Sequence, residues 1–248
     1  MNACVRHGRL ALIGAGAVAV AAAQAPSADV PAKVTAERVL AGSAIFNGRS
    51  CVLCHAPGGR SEGASAPDLA DAEWLHGAGD FEGIQRVIVW GVEEDEMRVP
   101  RRFEMFPRGG VNLSDEEVEA VAAYVWSLGR PQGNAFVRAQ ARFIDLARAG
   151  DGAGAVALFR AEAAQPLLPE RGLNRLGQAI LGPQPRAALA MFQLAVELNP
   201  DSGPAHMGLG DAHRALGDRA RAAESYRRVL AIAPGNEAVQ QKLREVEQ

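Results

Sequence analysis

Apolar side chains recur at helical spacing in three stretches of the first half of this chain, each bounded by residues that start or stop helices. The first begins near Thr35: in TAERVLAGSAIFNGRS, Val39, Gly42, Ala44 and Phe46 predict a helix ending at Gly48. A second helical patch runs around Phe81 to Trp90. The third, LSDEEVEAVAAYVWSLG, has an S-x-x-E capping box at Ser114 and Glu117, one apolar face of Val118, Val121, Ala122, Val125 and Leu128, and Gly129 as its stop. Loops fill the intervals. One, Ala56 to Asp68, is rich in Gly, Ser and Pro, and another carries the acidic run Glu93 to Glu96 together with Met97 and Met105.

Past Arg130-Pro131-Gln132-Gly133-Asn134 the pattern becomes a repeat. Setting Asn199-Pro200 on Ala233-Pro234 gives an offset of 34 residues and drops Ala188 and Phe192 onto Ala222 and Tyr226. Leu209-Gly210, His213 and Gly217-Asp218 complete the second unit, and Leu176-Gly177 stands one position late in the first, which predicts a shortened turn at Gly182-Pro183. Small residues at these spacings let antiparallel helices touch while an aromatic plugs the next unit, and the pattern resembles tetratricopeptide (TPR) repeats. The units expected are a degenerate one at 137–166, two at about 169–202 and 203–236, and a capping helix at 237–248, behind a linker at 131–136. The repeat half is expected to fold independently of the first.

Composition agrees with helices. The chain has 248 residues, 48 % apolar and 22 % charged, enough for two ordinary domains. Aromatics are scarce at 5 % and Gly and Ala are abundant, which favours closely packed helices over β-branched strands, so the fold class expected is all-α. A formal charge of −3 gives no basic surface for a phosphate backbone, which argues against nucleic acid as a partner. Residues 26–134 hold 17 acidic against 10 basic side chains, and residues 135–248 hold 12 against 14, so the first half is the electrostatically marked one.

The amino terminus has Arg6 and Arg9, an apolar run from Leu10 to Ala23, then Ala23-Gln24-Ala25 before Pro26. That pattern predicts a secretory signal peptide over 1–25, a flexible leader over 26–34 and a periplasmic location. The apolar run is shorter than the roughly 20 residues that span a bilayer, so membrane association is expected only if the segment stays uncleaved. Cleavage removes Cys4 and leaves two cysteines, Cys51 and Cys54.

Those two stand in CVLCH, residues 51–55. A C-x-x-C pair serves three chemistries. A thioredoxin-like redox pair wants a βαβ setting, and a zinc site wants a second pair of ligands, while the remaining histidines are scattered. Covalent attachment of haem c fits: two thiols form thioethers to the vinyl groups of the porphyrin and the adjacent His55 binds iron. A histidine ligand needs a partner for its other ring nitrogen, and the loop ASAPDL offers the backbone carbonyl of Pro67.

GSAIFNGRSCVLCHAPGG, APDL, WLHGAGDFEGIQRVIVWGV, EMFPRGG and LSDEEVEAVAAYVWSLG together resemble the successive landmarks of class I c-type cytochromes. The resemblance covers residues 35–130. It implies one covalent haem c, a proximal histidine (His55) supported by a Pro-containing loop, a distal methionine beside a proline, and a last helix whose aromatic packs on the first. Met105 in MFPRGG is the implied distal ligand and Met97 the alternative; Phe106 stands where the family's loop has a proline. Trp74, Trp90, Tyr124 and Trp126 are expected in the core or against the haem edge, with Tyr124 and Trp126 as candidate haem-packing residues.

Imidazole and thioether ligation closes the iron and suits electron transfer rather than catalysis. No hydrolase, nucleotide or metalloprotease motif supplies another activity. The function expected is that of a monohaem electron carrier, not an enzyme, with redox protein partners that the acidic run could steer by their basic surfaces and a protein ligand for the TPR half. Two alternatives remain: a haem sensor or small catalytic haem protein with a displaceable distal ligand, and a TPR scaffold subunit of a respiratory complex.

Overall fold

The computed structural model describes residues 30–61, 66–71, 73–97, 104–130, 134–162 and 165–248. The signal segment, residues 26–29 of the leader and residues 131–133 of the linker lie outside the described residues. Eleven helices are found among the described residues and no strand, only one isolated bridge between Val92 and Met105. None of these helices is long and apolar enough to cross a membrane.

Four helices build the first half: α1 (Ala36–Gly48), the short α2 (Cys51–His55), α3 (Phe81–Trp90) and α4 (Asp115–Leu128). Thr35 caps α1 and Asp80 caps α3 through their side chains, and at α4 both bonds of the Ser114–Glu117 capping box are present. α1 crosses α4 at very short range. A Cβ on Gly42 would stand 1.9 Å from the Ala120 carbonyl oxygen, so only glycine lets the two backbones meet there.

α1 buries Val39, Gly42, Ser43, Phe46 and Asn47, a stripe at helical spacing that includes two polar residues and leaves Ala44 outside. α4 departs further from its expected single apolar face. Ten consecutive or near-consecutive residues are buried, Ala120, Ala123, Tyr124, Trp126 and Ser127 among them, because α4 has protein on every side.

The cover comes from the second half. Helices α5 (Ala135–Arg148), α6 (Gly152–Ala161), α7 (Glu170–Ile180), α8 (Pro185–Leu198), α9 (Gly203–Ala215), α10 (Arg219–Ile232) and α11 (Glu237–Glu247) stack as consecutive antiparallel pairs with a last single helix. The repeat logic is visible in the packing. Phe192 fills the space that side chains on Gly177 and Gly208 would take, and Tyr226 does the same at Gly210.

The two halves pack together, and residues 31–248 form one compact unit. Helices α5 and α7 pack on α1, α2 and the turn at Pro57–Gly59. Gly58, at φ +70°, lies against the Ile144 side chain, and Gly172 faces Asn47. At the centre is Gln140 of α5, only 1 % exposed. Its carbonyl accepts from the Tyr124 hydroxyl, and its amide donates to Ser43 Oγ at 2.8 Å and to the Leu167 carbonyl at 2.5 Å. Asn47 extends the network, donating to Tyr124 Oη at 3.2 Å and accepting from the Gly58 N–H at 3.0 Å. Arg60 pairs with Asp145 at 2.5 Å on the rim, where an exposed ion pair contributes at most about 1 kcal/mol. The buried amide matters more, since each buried polar group left unpaired costs about 1–3 kcal/mol.

Two outcomes follow for stability. Gln140→Leu keeps the volume but removes one partner each from Tyr124, Ser43 and the Leu167 carbonyl, and should lower the unfolding free energy by about 1–3 kcal/mol in urea denaturation. The Tyr124 hydroxyl is pushed up to about 12, first by burial, with the bonds to Asn47, Ser43 and Gln140 opposing. A folded value above the ordinary 10 means that the contribution is complete below pH 10 and is lost as the pH rises through 12. Thermal unfolding should therefore weaken across that window, with a shallower slope in Tyr124→Phe.

Candidate haem site

α1 delivers the CVLCH segment. Its helix breaks at Arg49, whose guanidinium is anchored on Glu117 of α4 at 2.6 Å, and the chain re-enters a helix at Cys51. Ser50 Oγ donates to the Gly109 carbonyl at 2.7 Å, which ties this segment to the loop that carries Met105. A side chain on Gly109 would stand 3.5 Å from Cys51 Sγ, so the loop rests directly on the first cysteine.

Beside these residues lies a cavity of about 260 Å³. Cys51, Cys54, His55, Pro67, Met97 and Met105 all line it. Its walls are apolar, with Phe46 from α1, Ile84, Val87 and Ile88 from α3, Val121 and Val125 from α4, and Leu113. Trp74, Leu75 and His76 close another side. The i, i+3, i+4 spacing of Ile84, Val87 and Ile88 is the signal by which these wall residues were open to detection.

The two cysteines are free thiols, Cys51 partly buried and Cys54 exposed. Burial pushes the Cys51 thiol up from its ordinary value, the reverse of what a reactive redox pair requires. His55 Nδ1 lies 3.4 Å from the Pro67 carbonyl oxygen, placed for a long Nδ1–H donation that makes Nε2 the nitrogen with a lone pair.

Both methionines face the cavity, yet they are held differently. The Met105 N–H donates to the Val92 carbonyl at 3.1 Å and its carbonyl accepts from the Val92 N–H at 2.8 Å. Gly91, at φ +76°, presses on that carbonyl, where a side chain would come within 2.0 Å. Arg108, at φ +53° in the left-handed region, secures the other end of the loop through the Leu113 carbonyl and Asp115 at 2.7 Å. Among the described residues, Met97 makes one long backbone bond, to the Glu94 carbonyl at 3.4 Å, and it stands at the edge of a segment outside them.

Of the four aromatics, Trp74 lines the cavity, Tyr124 and Trp126 are buried away from it, and Trp90 is exposed. Tyr124 and Trp126 do not line the cavity: Tyr124 turns to the Gln140 network, and Trp126 stacks beneath the Arg130 guanidinium, 4.5 Å from the ring centre. The reason is helical phase, since Val121 and Val125 hold the cavity-facing positions of α4. Trp90, expected in the core or against the haem edge, is 74 % exposed at the end of α3.

Among the described residues no group of three or more His, Cys, Asp or Glu side chains is placed to hold a metal ion. Among the residues lining the cavity are the imidazoles of His55 and His76 and the thioethers of Met97 and Met105, donors suited to iron already held by a macrocycle. Two thiols at the edge and apolar walls around the space match the needs of a flat, covalently attached porphyrin.

Comparison with known proteins agrees. The Cytochrome c family profile matches residues 39–129 and a Tetratricopeptide repeat profile matches residues 184–246. The chain is 38 % identical over 92 residues to the Cbb3-type cytochrome c oxidase subunit FixPc of Rhizobium leguminosarum bv. viciae, covering 37 % of this chain and 31 % of that protein. It is 38 % identical over 89 residues to FixP of Rhizobium etli (36 % of this chain, 30 % of that protein) and 32 % identical over 89 residues to CcoP of Cereibacter sphaeroides (36 % and 27 %). The chain thus spans less than a third of the length of these relatives. Within this all-α chain, residues 39–129 are a cytochrome c electron-transfer domain that binds haem c covalently through the Cys51-x-x-Cys54-His55 motif, and residues 184–246 are tetratricopeptide repeat.

Proposed function

We propose that the chain is a periplasmic carrier of single electrons, with His55 and Met105 binding the iron from its two faces. The observation that carries this reading is the clamping of Met105: both its backbone groups are paired to Val92, and Gly91 and Arg108 hold the flanks of its loop. A sulfur donor held this firmly keeps the sixth position closed to small ligands. When bound, haem c supplies a one-electron couple, and Met/His ligation favours the reduced state. The apolar walls exclude water from the site, and the Pro67 carbonyl orients His55.

For a redox partner, the side chains nearest to hand are Trp90 and Phe106, 74 % and 53 % exposed, which flank the Gly91 contact. Glu93 to Glu96 and Glu104 are exposed in the same loop region, while Arg98, Arg101 and Arg102 lie outside the described residues. An apolar centre with carboxylates beside it suits a partner with a basic-rimmed apolar patch. In the repeat half, α5 and α7 already use one face on the haem half, so a protein ligand would dock on the surface that α9, α10 and α11 leave exposed.

The names of the relatives favour a second reading, in which the chain stays with a terminal oxidase as a subunit or tether. A bound subunit should co-purify with its complex through salt washes that release an electrostatic partner, whereas a mobile carrier should come away.

The holoprotein recovered from the periplasm should have the mass of a chain beginning at Pro26 plus one haem. Its reduced spectrum should be unchanged by carbon monoxide, and its oxidised spectrum should show a methionine-to-iron band. Met105→Ala should abolish the band and admit carbon monoxide, while Met97→Ala should leave both as they were. A wild-type protein that binds the gas would point to a sensor or catalyst.

A further inference from the structure

The short helix α2 ends in a hydrogen-bonding problem that the repeat half solves. In a continuing helix the Leu53 carbonyl would accept from the N–H of residue 57, and residue 57 is proline, which has none. Leu53 stands between the two haem-attaching cysteines and is 43 % exposed. Its carbonyl accepts instead from Nη2 of Arg175 at 3.1 Å, across 122 positions of sequence.

Arg175 belongs to α7, and α7 is firmly seated. Its N-capping Pro169 touches Gly48, Gly172 packs on Asn47, and Leu173 and Leu176 on either side of Arg175 are fully buried. The guanidinium is therefore delivered by a rigid helix rather than by a loose surface segment. Among the described residues no carboxylate lies within ion-pair distance of it, so its charge stands uncompensated next to CVLCH.

We propose that Arg175 is a positioning residue for electron transfer: from the repeat half it caps the carbonyl between the haem cysteines and sets a fixed positive charge against the attachment segment, which raises the reduction potential. A cation near a redox centre stabilises the form that carries the extra electron. Because Arg175 is exposed, salt should screen the effect. The inference rests on the haem reading of the site and adds a role for the repeats that the resemblance to either family does not supply.

The test is a redox titration of the haem-loaded full chain as wild type, Arg175→Gln and Arg175→Lys, at low and high ionic strength, with thermal unfolding and the visible spectrum recorded alongside. The expected result is a lower midpoint in Arg175→Gln, recovery of most of the difference in Arg175→Lys, and a gap that narrows with salt, while the unfolding temperature and six-coordinate spectrum stay put. Equal midpoints for wild type and Arg175→Gln at low salt would overturn the proposal. So would a Lys variant that behaves like the Gln variant, or a shift accompanied by a change in iron ligation. Failure of the carrier reading would show separately, as carbon monoxide binding by the wild type.

Discussion

The close crossing of α1 over α4 at Gly42 sets the geometry of everything else. With backbone against backbone, α1 points CVLCH at one flank of α4 while presenting Ser43 and Asn47 to the other. The same helix α4 then serves two neighbours, offering Val121 and Val125 to the haem cavity and Tyr124 to Gln140. A crossing even one methyl group wider would shift the cysteines relative to Met105 and open the polar network at once, because both are referred to the same pair of helices.

The elements that sequence made readable were those with strong local signals. The capping box at Ser114 needs only residues three apart, the repeat announces itself by its own recurrence, and CVLCH carries its chemistry in five residues. What stayed hidden was the join between the halves. Ser43, Asn47 and Gln140 carry no local sign of burial, since a polar side chain declares its burial only when its partner is known, and the Asn47–Tyr124 and Ser43–Gln140 pairs are 77 and 97 residues apart. For the same reason α4 read as amphipathic: its second buried face is apolar and small, but nothing local says that another helix covers it. For Tyr124 and Trp126 the sequence left core and haem edge open, and helical phase turns both away from the cavity. For Met105 the sequence offered the MFPRGG loop, and the pairing of its backbone with Val92 appears only in three dimensions.

The repeat half also reads differently in three dimensions. Repeat stacks are usually thought of as surfaces waiting for a partner, and here one face of α5 and α7 is already committed to the cytochrome fold. That commitment buries the Asn47–Tyr124–Gln140 network, which is fully satisfied and so specifies one docking geometry rather than merely tolerating it. The haem domain and the first repeat units are thus joined through a buried polar network, while the repeat half keeps a hydrophobic core of its own.

The bridge between Val92 and Met105 has a further meaning for how such a protein can change over generations. It pins both ends of the intervening segment, residues 93–104, at a single pair of backbone hydrogen bonds. Closing a longer loop costs little, about 0.6 kcal/mol for each doubling of length. Insertions, deletions and charge reversals between the two pinned ends can therefore accumulate without displacing Met105, so the surface beside the cavity is free to vary while the cavity wall stays as it was.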